Sequence, residues 1–341
     1  MGVGGAAAGI TWSAAGRASG ATAGAGADKL REGKMPTRKL GRTGVDVSLI
    51  GLGGFHIGMA PDEQTATRII RAAVDHGVNF MDNCWDYNEG RSHTWMGRAL
   101  RDGYRKRVFL MTKIDGRTRK SAAAQIDQSL KGLGTDVIDL MQVHEVIRAA
   151  EPERVFGPDG AMEALIAAKQ AGKIRYIGFT GHKSPAIHLK MLEVAAAHRF
   201  VFDTVQMPVN VMDAHYDSFE RRVIPVAAKT NTAVLAMKPL GSGQFFRSGP
   251  VAAREVSPID CLRYPMGTSA SVVITGCESM RDLAQALDAA YGFRPQSEAQ
   301  RKALLARTAP AADKGQWEKY KVSDMFDGTG RNPHWLDSAT L

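Results

Sequence analysis

At 341 residues, 44% of them hydrophobic, the chain carries material for one large core, and an α/β barrel of about 250 residues with tails fits that length. A mean hydropathy of −0.21 and the lack of any apolar run of about 18 residues exclude a membrane span. The net charge of +9 comes from Lys and Arg scattered among 35 acidic residues rather than from a basic block, so nucleic acid is not the expected partner.

Residues 1–34 differ from the rest. Met1 to Gly16 carries no charge, and up to Ala27 the stretch is mostly Gly, Ala, Ser and Thr, too little apolar surface to fold alone. It ends in Ala25-Gly26-Ala27, a small-residue pattern like a signal-peptidase site, without the basic region that would precede it. Two readings stand: a disordered tail, or the remnant of an export leader of the twin-arginine type. The expected location is the cytoplasm, with periplasmic export the alternative if the segment is a leader.

Folded structure begins with Thr37–Leu40 and Val45–Ser48, short strand-like runs around Gly41-Arg42-Thr43-Gly44, which reads as a hairpin. Short apolar runs then alternate with longer amphipathic ones, the pattern of parallel strands joined by helices. Strands are predicted at Leu49–Gly53, Phe80–Asp82, Val108–Lys113, Ile138–Val143, Ile174–Phe179, Thr204–Gln206, Ala233–Ala236 and Val272–Thr275. Helices are predicted near 62–76, 92–102, 120–132, 160–171, 185–196, 216–228, 258–266 and 279–290. Eight of each is the count of a (β/α)8 TIM barrel. The predicted domains are thus the tail 1–34, a barrel over 35–292 with an N-terminal β-hairpin, and a C-terminal extension, 293–341, folded over one barrel face. An open dinucleotide-binding sheet should carry GxGxxG after its first strand. Here the third glycine position of Gly51-Leu52-Gly53-Gly54-Phe55-His56 is His56, which argues against that fold.

Barrels present functional side chains at the C-terminal ends of their strands. Asp82 ends the second predicted strand and Tyr87 follows five residues on; Lys113 ends the third, and His144 follows the fourth. Singly, each has an ordinary explanation as a turn former, surface aromatic, solvated cap or core histidine. Jointly their chemistry is complementary. An adjacent ammonium lowers the pKa of a phenol, a carboxylate keeps a buried lysine charged, and an imidazole can donate to a carbonyl oxygen. Cys84, Cys261 and Cys277 are too sparse for a disulfide framework, and no metal-ligand spacing surrounds His56, His93 or His144. No metal is expected.

From about Met35 to Ala290 the chain resembles the aldo-keto reductase superfamily. Met81-Asp82-Asn83-Cys84-Trp85-Asp86-Tyr87-Asn88-Glu89-Gly90-Arg91-Ser92 is similar to the family's DTA-x-x-Y-G-x-G-x-S stretch, and Phe109-Leu110-Met111-Thr112-Lys113 to its lysine-bearing strand. Ile138-Asp139-Leu140-Met141-Gln142-Val143-His144 resembles its I-D-L-x-x-x-H signature, and Arg38 to Gly44 its entry hairpin. The resemblance implies NAD(P)H-dependent reduction of an aldehyde or ketone, with Tyr87 as general acid assisted by Lys113, Asp82 and His144. It implies a small carbonyl substrate and cofactor contacts at Gly53, Thr180, Gln206, Met237, Pro239, Leu240, Gly276, Glu278, Ser279 and Asp282. Gly181 stands where the family has an amide side chain, Met237 where an aromatic commonly stacks, and Glu278 where a base often faces the 2′-phosphate. The expected cofactor is NADP, with NAD as the alternative that Glu278 favours. Two other functions share these residues: a nicotinamide-sensing subunit with little turnover, and a Schiff-base lyase using Lys113 as nucleophile.

Overall fold

The short apolar runs of the sequence pair edge to edge into a closed cylinder. The computed structural model describes residues 30–247 and 249–337; the expectation for 1–34 lies outside them as far as residue 29. A two-stranded antiparallel hairpin comes first, β1 (Thr37–Lys39) and β2 (Asp46–Ser48), with Thr37 opposite Ser48. Eight parallel strands follow: β3 (Ile50–Gly53), β4 (Phe80–Asp82), β5 (Phe109–Ile114), β6 (Ile138–Val143), β7 (Ile174–Thr180), β8 (Thr204–Pro208), β9 (Ala233–Met237) and β10 (Val272–Thr275). They pair in chain order, and β10 closes the ring on β3.

The hairpin has a packing role. Leu40 and Val47 are fully buried and join Phe80, Phe109, Met111, Leu140, Leu235 and Val272 in the barrel core. Gly41, at φ +48°, makes its turn against Asn231, whose carbonyl lies 2.5 Å from where a Cβ would stand. A β-carbon there would need both a left-handed backbone and a displaced neighbour.

Helices between the strands begin and end where local chemistry dictates. Thr118 and Ser121 form a capping box before the helix Arg119–Leu133, and Gly134 closes it in a left-handed conformation. One predicted helix differs. The run 216–228 is two short helices, Phe219–Arg222 and Ile224–Lys229, because Pro225 has no N–H with which to continue a preceding turn. The segment after the barrel contains the helix Glu298–Thr308, in which only Leu304 and Thr308 are buried. So narrow an apolar face leaves little periodicity to read. Leu304 packs with Val211, Met212, Phe245 and Tyr264 in a second core cluster. Among the described residues, no helix is long and apolar enough to cross a membrane.

Candidate active site

Asp82 is the last residue of β4, and the chain leaves it through a loop tied down by Asn83. The Asn83 amide donates to the Ser92 carbonyl at 3.1 Å and its oxygen accepts from the Cys84 N–H at 2.9 Å. Asn88, Glu89 and Gly90 then all take positive φ, turning the chain so that Tyr87 faces β5. Lys113, 1% exposed, points at it from within that strand. The Lys113 ammonium donates to Asp82 Oδ1, to the Asn83 carbonyl at 2.7 Å and to the Tyr87 hydroxyl at 3.3 Å. Three N–H groups meet three acceptors. With its three donor positions all directed at acceptors, Lys113 is not presented for imine formation, and the geometry gives no support to a Schiff-base lyase.

His144 follows β6, its N–H continuing the ladder to the Ile114 carbonyl. The His144 and Tyr87 rings meet edge to face with centroids 5.8 Å apart. The four side chains expected to converge are therefore neighbours. The electrostatics differ from expectation, however. Burial pushes the Tyr87 hydroxyl well up, and Asp82, Cys84, Asp86 and Glu145 add to that push. Lys113, neutralised by Asp82, does not make the phenol more acidic than usual in this state.

Sequence reasoning missed the surroundings of His144. Its Nδ1 lies 3.0 Å from Asp115 Oδ1 and 3.3 Å from Cys84 Sγ. Asp115 is fully buried, and its other oxygen accepts from the Trp85 indole N–H at 2.6 Å. Burial would raise the Asp115 carboxyl, but His144 and Arg117 outweigh it and hold it below its ordinary value. Burial likewise opposes a charge on His144, yet Asp115, Glu145 and Asp86 raise it above the usual histidine value. Phe55, 46% exposed, adds an apolar wall, its ring edge-on to Tyr87 at 5.5 Å. Cys84, Asp86, Asp115 and His144 also bring ligand-type atoms within 4.8 Å of one another, a grouping that residue spacing did not reveal. Burial and nearby carboxylates push the Cys84 thiol well up.

The residues expected to contact a cofactor fall into two groups. Thr180 and Met237 end β7 and β9 and Gln206 is the central residue of β8, with Pro239 and Leu240 following β9. Gln206 donates to Asp82 Oδ2 at 3.0 Å, while its own Oε1 is buried without a hydrogen-bond partner among the described residues. An orphan acceptor beside Asp82 suits the amide of a nicotinamide. Leu240 instead turns into the cluster around Phe245. The second group surrounds the start of the helix Met280–Tyr291. Gly276 lies under the His56 ring, which is 1.9 Å from where a Cβ would stand, and Gly53 ends β3 beside Thr275. Glu278 pairs with His56 at 2.6 Å. Asp282 accepts from the N–H groups of Glu278 and Ser279 and from the Ser279 hydroxyl. The helix start is thus capped by its own carboxylate.

A family model for the aldo/keto reductase family matches residues 49–288. Aldo-keto reductase AMT2 of Alternaria alternata is 27% identical over 259 residues, covering 64% of this chain and 68% of its own length. Aldo-keto reductase AFTS1 of the same organism is 29% identical over 272 residues, covering 68% and 71%. Among solved structures, the holo form of aldo-keto reductase AKR11C1 from Bacillus halodurans superposes with a TM-score of 0.67 at 20% identity, covering 83% of this chain and all of that one. At that identity the likeness is one of fold.

Proposed function

The chain belongs to the aldo/keto reductase family of NAD(P)-dependent oxidoreductases, and from that premise we propose that it reduces the carbonyl of a small aldehyde or ketone to an alcohol, with Tyr87 as the proton donor. The observation that carries this reading is the Tyr87 hydroxyl, 3.3 Å from a buried Lys113 ammonium that Asp82 holds in place. The reduced nicotinamide supplies the hydride when bound. Gln206 Oε1, with Thr180 and Met237 on the neighbouring strands, would hold its carboxamide end. The protein's own part is to seat the carbonyl oxygen between Tyr87 and His144 and to deliver the proton that turns the nascent alkoxide into an alcohol. Burial keeps the Tyr87 phenol protonated, so the proton is in place when the alkoxide forms, while the raised value itself opposes its release.

NAD(H) is the better fit to the far end of the site. Glu278 is held below its ordinary pKa by the His56 contact and so remains charged, and Asp282 already accepts the N–H groups that a 2′-phosphate would seek. A carboxylate in that place repels the phosphate and suits a ribose hydroxyl.

The test is oxidation of NADH and NADPH against a panel of aldehydes and ketones, with Tyr87→Phe alongside. Wild-type protein should turn over, and the variant should lose at least about a hundredfold in kcat, the usual contribution of a general acid, while still binding cofactor. Near-normal turnover in the variant removes Tyr87 as donor. Tight cofactor binding with negligible reduction of every carbonyl would favour a sensing role.

A further inference from the structure

Lys113 is engaged by Asp82, Asn83 and Tyr87. His144, whose ring meets that of Tyr87 with centroids 5.8 Å apart, is placed to bring a second charge to the same oxygen. Its Nδ1 faces Asp115 Oδ1 at 3.0 Å, and its Nε2, on the opposite side of the ring, has no hydrogen-bond partner among the described residues. Three devices hold Asp115 in this pose. Trp85 donates to its second oxygen at 2.6 Å. The Gln125 side-chain oxygen accepts from the N–H groups of Asp115 and Gly116 at 2.8 and 2.7 Å. The Arg117 guanidinium, 1% exposed, donates to the carbonyls of Asp115, His144 and Glu145, locking the end of β5 to the end of β6. Of these, only the Trp85 indole joins His144 on the carboxylate itself; the Gln125 and Arg117 contacts fix the backbone on either side of it, so the side chain is held from a rigid base.

We infer that Asp115 is a positioning residue that keeps His144 charged and directs its Nε2–H at the substrate oxygen, so that this oxygen meets two donors, the Tyr87 hydroxyl and the His144 imidazolium. The inference rests on the carbonyl-reductase reading. It assigns work to a residue outside the four that the sequence singled out. Asp115 touches neither substrate nor cofactor, but it selects the tautomer, the orientation and the charge of the imidazole that does.

Charged and titratable neighbours bear on that charge from both sides: Arg117, which donates to the His144 carbonyl at 2.6 Å, and Lys113, on the Tyr87 hydroxyl, are cations that oppose it. Asp115 is ionised, for the reasons given above. Asp86 and Glu145 also favour the imidazolium by charge, though burial raises both carboxyls. Cys84, on the same nitrogen, stays a neutral thiol, Tyr87 stays a neutral phenol, and His182 is buried and neutral, pushed well down in part by Lys238 and by His144 itself. Because the folded-state pKa of His144 is raised, the imidazolium is present below it, and reduction is lost as pH rises through it.

Two measurements decide the matter. The first is the pH profile of kcat for carbonyl reduction by wild type, Asp115→Asn and Asp115→Glu. Asparagine can keep the hydrogen bond but loses the charge, so the basic limb should move down by about one to three pH units, or at least about tenfold in kcat above the limb. Glutamate restores the charge and should bring the limb back toward its wild-type position. Equal losses in both variants with an unmoved limb would mean that Asp115 only packs, and would overturn the inference. The second needs neither activity nor cofactor: NMR titration of the histidine rings in EDTA-treated protein, with His144 assigned by the signal missing from His144→Gln. The wild-type midpoint should lie above the ordinary histidine value of about 6.5; a midpoint below it overturns the inference even if the Asp115 variants fail to fold. Stoichiometric zinc uptake that perturbs this resonance would overturn it in favour of a metal centre. A raised midpoint in a protein that reduces no carbonyl would uphold the charged pair and condemn the reductase reading alone.

Discussion

Single side chains decide the chemistry, and those legible in advance were the ones at or just beyond a strand end. Asp82, Tyr87, Lys113 and His144 could be read because strand ends share one rim and because four different functional groups rarely meet there by accident. Asp115, Trp85 and Arg117 were not read, since a carboxylate in Ile114-Asp115-Gly116 looks like any turn former until its partners across the barrel are known. The same holds for His56, which carries no signal alone but lies against Glu278 in the structure. This pair supports a prediction. Glu278→Lys should tighten NADPH relative to NADH by about tenfold or more, the worth of one charge-assisted contact to a phosphate at ~1.4 kcal/mol. Fluorescence titration with both cofactors checks it, and an unchanged ratio of dissociation constants would remove Glu278 from cofactor choice.

At the scale of elements, all eight barrel strands were legible, because fully buried strands are continuous apolar runs and neighbouring runs lie one helix apart. Their C-terminal ends were less so: β5, β7, β8 and β9 each run one or two residues further than the apolar pattern suggests, to Ile114, Thr180, Pro208 and Met237. Of those extra residues only Thr180 is polar, so the added length comes from ladder pairing with the neighbouring strands rather than from a change of side-chain character. The segment after the barrel was the least legible, because its apolar anchor is narrow, centred on Leu304, and the rest of its hold is polar. Lys321, buried, donates to Asp213 at 2.7 Å, to Glu318 at 3.0 Å and to the Tyr216 carbonyl at 2.8 Å. Burial, with Asp213 nearby, pushes Glu318 up to about 7, so one ammonium serves two carboxyls. Lys321→Met would strand Asp213 without its counter-ion and should destabilise the protein by about 3–5 kcal/mol, seen in urea denaturation. A variant with an unchanged midpoint would show that this buried cluster does not hold the segment.

For the whole molecule, the balance of buried histidines sets a pH range. Burial depresses His93 to about 3 and His188 to about 4, and His182 also lies well below its usual value. In the unfolded chain all three take up protons near pH 6.5, so stability is present above that pH and is lost as pH falls toward 4. His144, raised instead, contributes in the opposite sense: its share is complete below 6.5 and fades as pH rises through its folded value. Replacing His93, which hydrogen-bonds Thr112 at 2.7 Å, with Gln should take about one proton off the acid slope, ~1.4 kcal/mol per pH unit. Denaturation at pH 5 and 6 measures it, and an unaltered slope would mean that His93 is protonated in the native state. The amino-acid sequence alone determined the barrel and the four residues at its rim, because strand periodicity and strand-end position are local properties of the chain. Only the tertiary structure decided which partners those residues meet, since burial and neighbours distant in sequence, Asp115 beside His144 and Asp82 beside Lys113, are not visible until the ring of strands closes.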